Sequence, residues 1–234
     1  MNSRRLWVIP GVFFLIACFV NLYGCVLNNL TVEHDVKGAL MPLLALTGAA
    51  YLAQRSFNPK TAGTLLLAQL FGWGGDSLLM GDGFVWFASG IGCFLLGHLC
   101  YIRIFCRTLK GLSPVVWVVA VIAIVAIMAA LILAIGINGA LLPPMAIYGT
   151  ALLVITFCGL CGVVRNHAPS RGVWWLVLVG ILLFLFSDGL IALRTFGMAN
   201  FELRGFTIMS TYLIAQSLLC AAGVRIAVRD GAPS

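Results

Sequence analysis

Two acidic residues stand where an acid is expensive. The chain has seven Asp and Glu, of which Glu33, Asp35, Asp82, Glu202 and Asp230 fall in expected loops or a tail. Asp76 and Asp188 instead interrupt long apolar runs, in Gly75-Asp76-Ser77-Leu78-Leu79 and Ser187-Asp188-Gly189-Leu190-Ile191. A carboxyl facing hydrocarbon costs at least a few kcal/mol, so each should face a bundle interior or a wet cavity, where it becomes a functional hypothesis. Two carboxyls in one low-dielectric pocket suit acid and base work: one, protonated, donates, while its ionised partner activates water. Further polar residues fall on the same runs. Tyr212 and Gln216 are four apart and share a helix face, as do His98 and Tyr101, three apart; Tyr148 and Lys37 lie on two other runs.

Other chemistries fit less well. A catalytic zinc needs about three protein ligands, mostly His or Cys. Of three His, only His98 lies inside an apolar run, while His34 and His167 fall on opposite sides. Cys158-x-x-Cys161 is half a metal site with no second pair, and all eight Cys lie within apolar runs, so they read as small core residues rather than a disulfide framework. A Ser-His-Asp arrangement built on Ser77 or Ser187 would lack the strand-turn-helix elbow. No metal or cofactor is expected.

The elements that hold these residues follow from composition. Hydrophobic residues make up 62%, charged residues 9%, and the mean hydropathy is +1.09, whereas a soluble domain is about a quarter charged. A soluble globule is excluded. The net charge of +7 is dispersed, without the clustered basic face that nucleic acid requires. Apolar runs of about 20 residues predict an all-α polytopic membrane protein: one domain over 1–234, with eight spans near 6–27, 36–54, 61–80, 84–106, 113–135, 140–164, 172–193 and 206–228. The first follows Arg4 and Arg5 like a signal peptide, but it is too long for an h-region and ends at no A-x-A-like site, so it reads as a retained span.

Cations then set direction. One side holds Arg4, Arg5, Arg55, Lys60, Arg103, Arg107, Lys110, Arg165, Arg171, Arg225 and Arg229, and the other only Lys37, Arg194 and Arg204. Both termini are expected in the cytoplasm, with a bacterial inner membrane as the location. Asp76 and Asp188 then share a depth, each about 15 residues or roughly 22 Å above the cytoplasmic end of its span. Lys37, Tyr148, Tyr212 and Gln216 descend from that same far side. His98 and Tyr101 sit deeper, and His98 reads first as a core histidine, with reach into a central cavity as the alternative.

The chain also resembles itself. Residues 38–50, GALMPLLALTGAA, and 139–151, GALLPPMAIYGTA, agree at seven of thirteen positions, and the two Asp motifs follow at a similar offset. Spans 1–4 and 5–8 would be two parallel repeats with a site at their interface, although Gly, Ala and Leu are common enough here to match by chance.

Gly75-Asp76-Ser77-Leu78-Leu79, Gly97-His98-Leu99-Cys100-Tyr101, Ser187-Asp188 and Tyr212-Leu213-Ile214-Ala215-Gln216 together resemble the YhhN family of integral-membrane lysoplasmalogenases, over about Lys37 to Gln216. The family often carries Lys-Pro where this chain has Lys37-Gly38. The resemblance implies hydrolysis of the vinyl ether bond of a lysoplasmalogen to a fatty aldehyde and glycerophosphoethanolamine or glycerophosphocholine. Asp76 and Asp188 would be the catalytic pair. His98, Tyr101, Tyr148, Ser187, Tyr212 and Gln216 would support them, and Lys37 would meet the substrate phosphate. The partners implied are that lysophospholipid and membrane lipids. The rival reading is a proton-coupled lipid or small-solute transporter, whose buried carboxyls relay protons; a purely structural membrane protein fits matched buried acids least.

Overall fold

The computed structural model describes residues 5–195, 197–198 and 201–232; Arg4, counted above among the cytoplasmic cations, lies outside them. Among the described residues there is no strand. The eight α-helices are α1 Val8–Val26, α2 Leu30–Leu52, α3 Pro59–Leu78, α4 Phe84–Phe105, α5 Pro114–Ile135, α6 Leu142–Val164, α7 Arg171–Thr195 and α8 Arg204–Asp230. Two 3-10 turns, Cys106–Leu109 and Gly139–Leu141, follow α4 and precede α6.

Local chemistry fixes the ends. The Asn58 side chain accepts from the Lys60 and Thr61 amides at 2.9 and 3.2 Å, and Pro59 opens α3 where its missing N–H costs nothing. Pro143 and Pro144 occupy the first turn of α6, where a missing N–H breaks no helical bond. Gly136, at φ +71°, closes α5 in the left-handed conformation that glycine adopts without strain. The largest departure from the sequence reading is α2. It begins at Leu30, capped by Asn29, so Glu33 and Asp35 lie in its first turns rather than in a loop. Acids near a helix N-terminus are favourable, which apolar run-finding ignores.

Six helices, α1 and α4 to α8, are long and apolar enough to cross a membrane. The other two are more polar: α2 carries Glu33, Asp35 and Lys37, and α3 carries Lys60, Gln69 and Asp76. α8 is the most enclosed helix and touches α1, α2, α3 and α7. Close approach depends on small residues; at Gly180 of α7 an added Cβ would meet Leu218, Leu219 and the Ala215 carbonyl at 3.2–3.3 Å. α5 is the outlier. It packs mainly on α6 and buries only Ala120 and Met128. The neighbour pattern repeats with an offset of four: α1 on α2 and α5 on α6, α2 on α3 and α6 on α7, α3 on α4 and α7 on α8, α2 on α8 and α6 on α4.

One ionic clamp ties three elements together. Arg107, in the turn after α4, grips Asp230 at the end of α8 through both guanidinium nitrogens, at 2.7 and 2.8 Å, and Thr61 of α3 donates to the same carboxylate at 3.0 Å. Asp230 is thus a paired helix-end residue and not part of a solvated tail. Asp230→Ala should lower the apparent melting temperature in detergent, at a cost of about 1 kcal/mol, because a two-pronged pair outweighs an ordinary surface ion pair but stays partly wet.

Candidate active site

Asp76 and Asp188 occupy equivalent places on their helices. Asp76 follows the first residue of α3, Pro59, by 17 residues, and Asp188 follows the first residue of α7, Arg171, by 17. The two carboxyls are near enough to act on each other electrostatically. Each is held by a tyrosine from a different helix. Tyr212 of α8 donates to Asp76 Oδ2 at 2.6 Å, and Tyr148 of α6 donates to Asp188 Oδ2. Four helices therefore converge on one acidic pair, and α4 completes the enclosure from beneath.

The environments of the two acids differ. Asp76 is 4% exposed and belongs to a buried polar chain: Gln216 Nε2 reaches Tyr212 Oη at 3.5 Å, Tyr101 Oη donates to Gln216 Oε1 at 3.3 Å, and Gln69 Nε2 donates to Tyr101 Oη at 2.7 Å. The chain links α8, α4 and α3 through side chains alone, and it ends at Gln69 Oε1, which is buried without a partner among the described residues. Buried polar residues are scarce, and Gln69, Asp76, His98 and Gln216 gather here. Gln69 was not singled out from sequence. It precedes Asp76 by two helical turns on α3, the same-face spacing that reveals it.

Asp188 is half-buried and lines a half-open apolar cavity of about 260 Å³ between α4, α5, α6 and α7. Tyr148 and Asp188 bring the only hydroxyl and carboxyl to a wall otherwise built of Phe, Ile, Leu, Met, Ala and Gly. Asp76 does not reach that wall.

An aromatic frame separates the acids from the bundle below. Phe94, Phe184 and Tyr212 pack edge to face, with centroids 5.4–6.2 Å apart, a favourable geometry. His98 is 2% exposed, and its ring meets Phe184 at 4.8 Å and Tyr148 at 5.2 Å. Its Nδ1 lies 2.6 Å from the Phe94 carbonyl. A carbonyl only accepts, so Nδ1 carries a proton, and Nε2 is buried without a partner among the described residues.

The remaining sequence candidates fall as follows. Lys37 is half-buried on α2 and within electrostatic reach of Asp76. A bond from Trp73 Nε1 to the Gly38 carbonyl, 2.9 Å, joins α2 to α3 beside it. Ser187 points away from the acids: its hydroxyl donates to the Ile208 carbonyl at 3.1 Å and ties α7 to α8. Ser77 donates to the Trp73 carbonyl of its own helix. Cys158 and Cys161 lie on α6, apart from the acidic pair, and among the described residues no three His, Cys, Asp or Glu stand together as a metal site.

Chemically, the arrangement offers a proton donor or acceptor at the wall of an apolar bed, a second carboxyl close behind it, and a cation nearby. It suits proton transfer to a weakly polar bond in a chain-like molecule. The family model of the YhhN family matches residues 33–224, most of the chain. No curated protein and no solved structure matches it.

Proposed function

The chain belongs to the YhhN family, and from that premise we propose that it is a membrane lysoplasmalogenase, cleaving the vinyl ether bond of a lysoplasmalogen to a fatty aldehyde and a glycerophospho-alcohol. The observation that carries the reading is Asp188 at the wall of an apolar cavity with Asp76 close behind it. The reaction needs little else. A proton adds to the alkene carbon remote from oxygen, which leaves an oxocarbenium ion. Water adds at the carbon attached to oxygen and gives its proton to a carboxylate. The resulting hemiacetal breaks its bond to the glycerol oxygen, which takes a proton from the newly protonated carboxyl, while the hemiacetal hydroxyl gives its proton to the first carboxylate and the aldehyde departs. One carboxyl supplies the first proton; the other steadies positive charge and receives the proton from water. The tyrosines hold both acids in place, so that no reorganisation is needed as charge develops.

All eight helices cross the membrane in this reading, as two parallel halves with both termini in the cytoplasm of a bacterial cell. The repeated neighbour pattern and the eleven-to-three distribution of cations support it. The site then opens toward the non-cytoplasmic leaflet, where Lys37 meets the substrate phosphate as a point charge.

The direct test is product analysis on purified protein in detergent with vinyl ether, saturated ether and acyl lysolipids. Aldehyde from the vinyl ether lipid alone supports the proposal. A proton-coupled transporter gives no product there, and that outcome would sink it. Two further results are expected. Lys37→Met should raise KM about tenfold with kcat little changed, because it removes an interaction made equally in the ground and transition states. Tyr212→Phe, which leaves Asp76 without its donor, should lower kcat roughly 10- to 100-fold without loss of fold, read by a thermal melt on the same sample.

A further inference from the structure

The cavity beside Asp188 has a volume of about 260 Å³, and α5, the least buried helix of the bundle, supplies part of its wall. Its lining runs along α6 from Met145 to Leu152 and along α7 from Leu185 to Ala192, about 10 Å at about 1.5 Å per residue.

One contact in this lining joins α5 to α6. Met128 lies seven residues before the end of α5 at Ile135, Gly149 seven after the start of α6 at Leu142, and Asp188 seven before the end of α7 at Thr195. α6 runs opposite to α5 and α7, so all three residues share one level. There Gly149 leaves a gap that the Met128 thioether fills: a Cβ at 149 would lie 2.9 Å from its Sδ and 3.0 Å from its Cε. An unbranched, flexible side chain is thus laid over a bare backbone position in the wall that also holds Asp188.

We propose that Met128 and Gly149 are specificity-determining residues, which admit an unbranched chain past Asp188 and reject one carrying a methyl branch near the polar end. The proposal rests on the hydrolase reading for the identity of the reaction, but not for the fit of the chain. Forcing an extra methyl into a packed wall is unfavourable enough to weaken binding roughly five- to a hundredfold. Met128→Ala removes the thioether and should make the two chains equivalent. Gly149→Ala crowds the thioether at 2.9–3.0 Å toward the cavity and should sharpen the rejection of the branched chain.

The test uses two lipids that lack the vinyl group and are not hydrolysed, 1-O-hexadecyl glycerophosphoethanolamine and its analogue with a methyl on the third chain carbon. Competition against a fluorescent single-chain lipid in detergent gives the ratio of affinities for wild type and both variants. A preference for the straight chain that disappears in Met128→Ala supports the proposal. Equal binding of both lipids by wild type, or a ratio unchanged by Met128→Ala, overturns it. Should Gly149→Ala fail to fold, the Met128 variant decides alone; because Met128 is buried, its fold is checked by a thermal melt on the same sample, with Met128→Val as the milder truncation. A parallel aldehyde assay separates the two claims. Shifted binding ratios with no aldehyde from any vinyl ether lipid would remove the hydrolase reading and leave this one standing, whereas aldehyde release with one branched-to-straight rate ratio in all three proteins would do the reverse.

Discussion

Asp188→Asn and Asp76→Asn are each expected to reduce aldehyde release roughly 10²- to 10⁴-fold, the range a single general acid or base contributes. The substitutions are nearly isosteric, and the new amide oxygen still accepts from Tyr148 or Tyr212, so the helix contacts around each site persist. Elution as a single species and a melting temperature near wild type would show that only chemistry was lost. The two variants should differ in their remnant. Asp188 stands at the cavity wall and would touch the reacting carbons, so its loss removes a group in contact with substrate. Asp76 sits behind it, held by Tyr212 within the Gln216–Tyr101–Gln69 chain, so its loss changes the field at the site and the handling of water. Near wild-type turnover in either variant would refute the two-carboxyl mechanism.

Gly75→Val should inactivate the protein almost as fully without altering a single titratable group. A Cβ at Gly75 would stand 2.7 Å from the Phe94 ring, closer than packed atoms approach. Phe94 cannot yield freely. Its ring packs on Phe184 and Tyr212 and lines the cavity, and its carbonyl holds His98 Nδ1. Overpacking of this kind costs about 1–3 kcal/mol, and a shift of about 1 Å in the groups that position a reaction costs roughly 100-fold in rate. The check is a rescue: Phe94→Leu on top of Gly75→Val should restore part of both melting temperature and kcat. If the double variant is no better than the single one, the crowding argument is wrong.

Much of the helical framework was legible because apolar run length is a strong signal in a chain this hydrophobic. Helix ends differ by a few residues except at α2, where a polar first turn capped by Asn29 hid six helical residues. The helices α2 and α3 show the limit of that signal. They carry the polar residues the interior needs, so of the eight helices, all expected from the sequence, only six are long and apolar enough to cross a membrane. The depth of the acids was legible too, since residue count along a rigid helix measures distance. Gln69 was overlooked because an uncharged amide among Leu and Ala leaves hydropathy almost unchanged, although its two-turn spacing from Asp76 placed it on the acid's face. Ser187 shows the opposite error: adjacency to Asp188 in sequence put it 100° round the helix, against α8.

The sequence by itself determined that this is a helical membrane protein with two costly acids at one level, because burial of charge in hydrocarbon is so unfavourable that position becomes information. Only the tertiary structure decided which tyrosine serves which acid, that Asp188 and not Asp76 lines the apolar cavity, and that Met128 lies over Gly149 in its wall. Those facts depend on the rotation of each helix about its axis and on which helices become neighbours. Hydrophobic periodicity is nearly silent on both in this chain, where lipid and protein interior are alike apolar and small-residue contacts, rather than an amphipathic stripe, choose the partners.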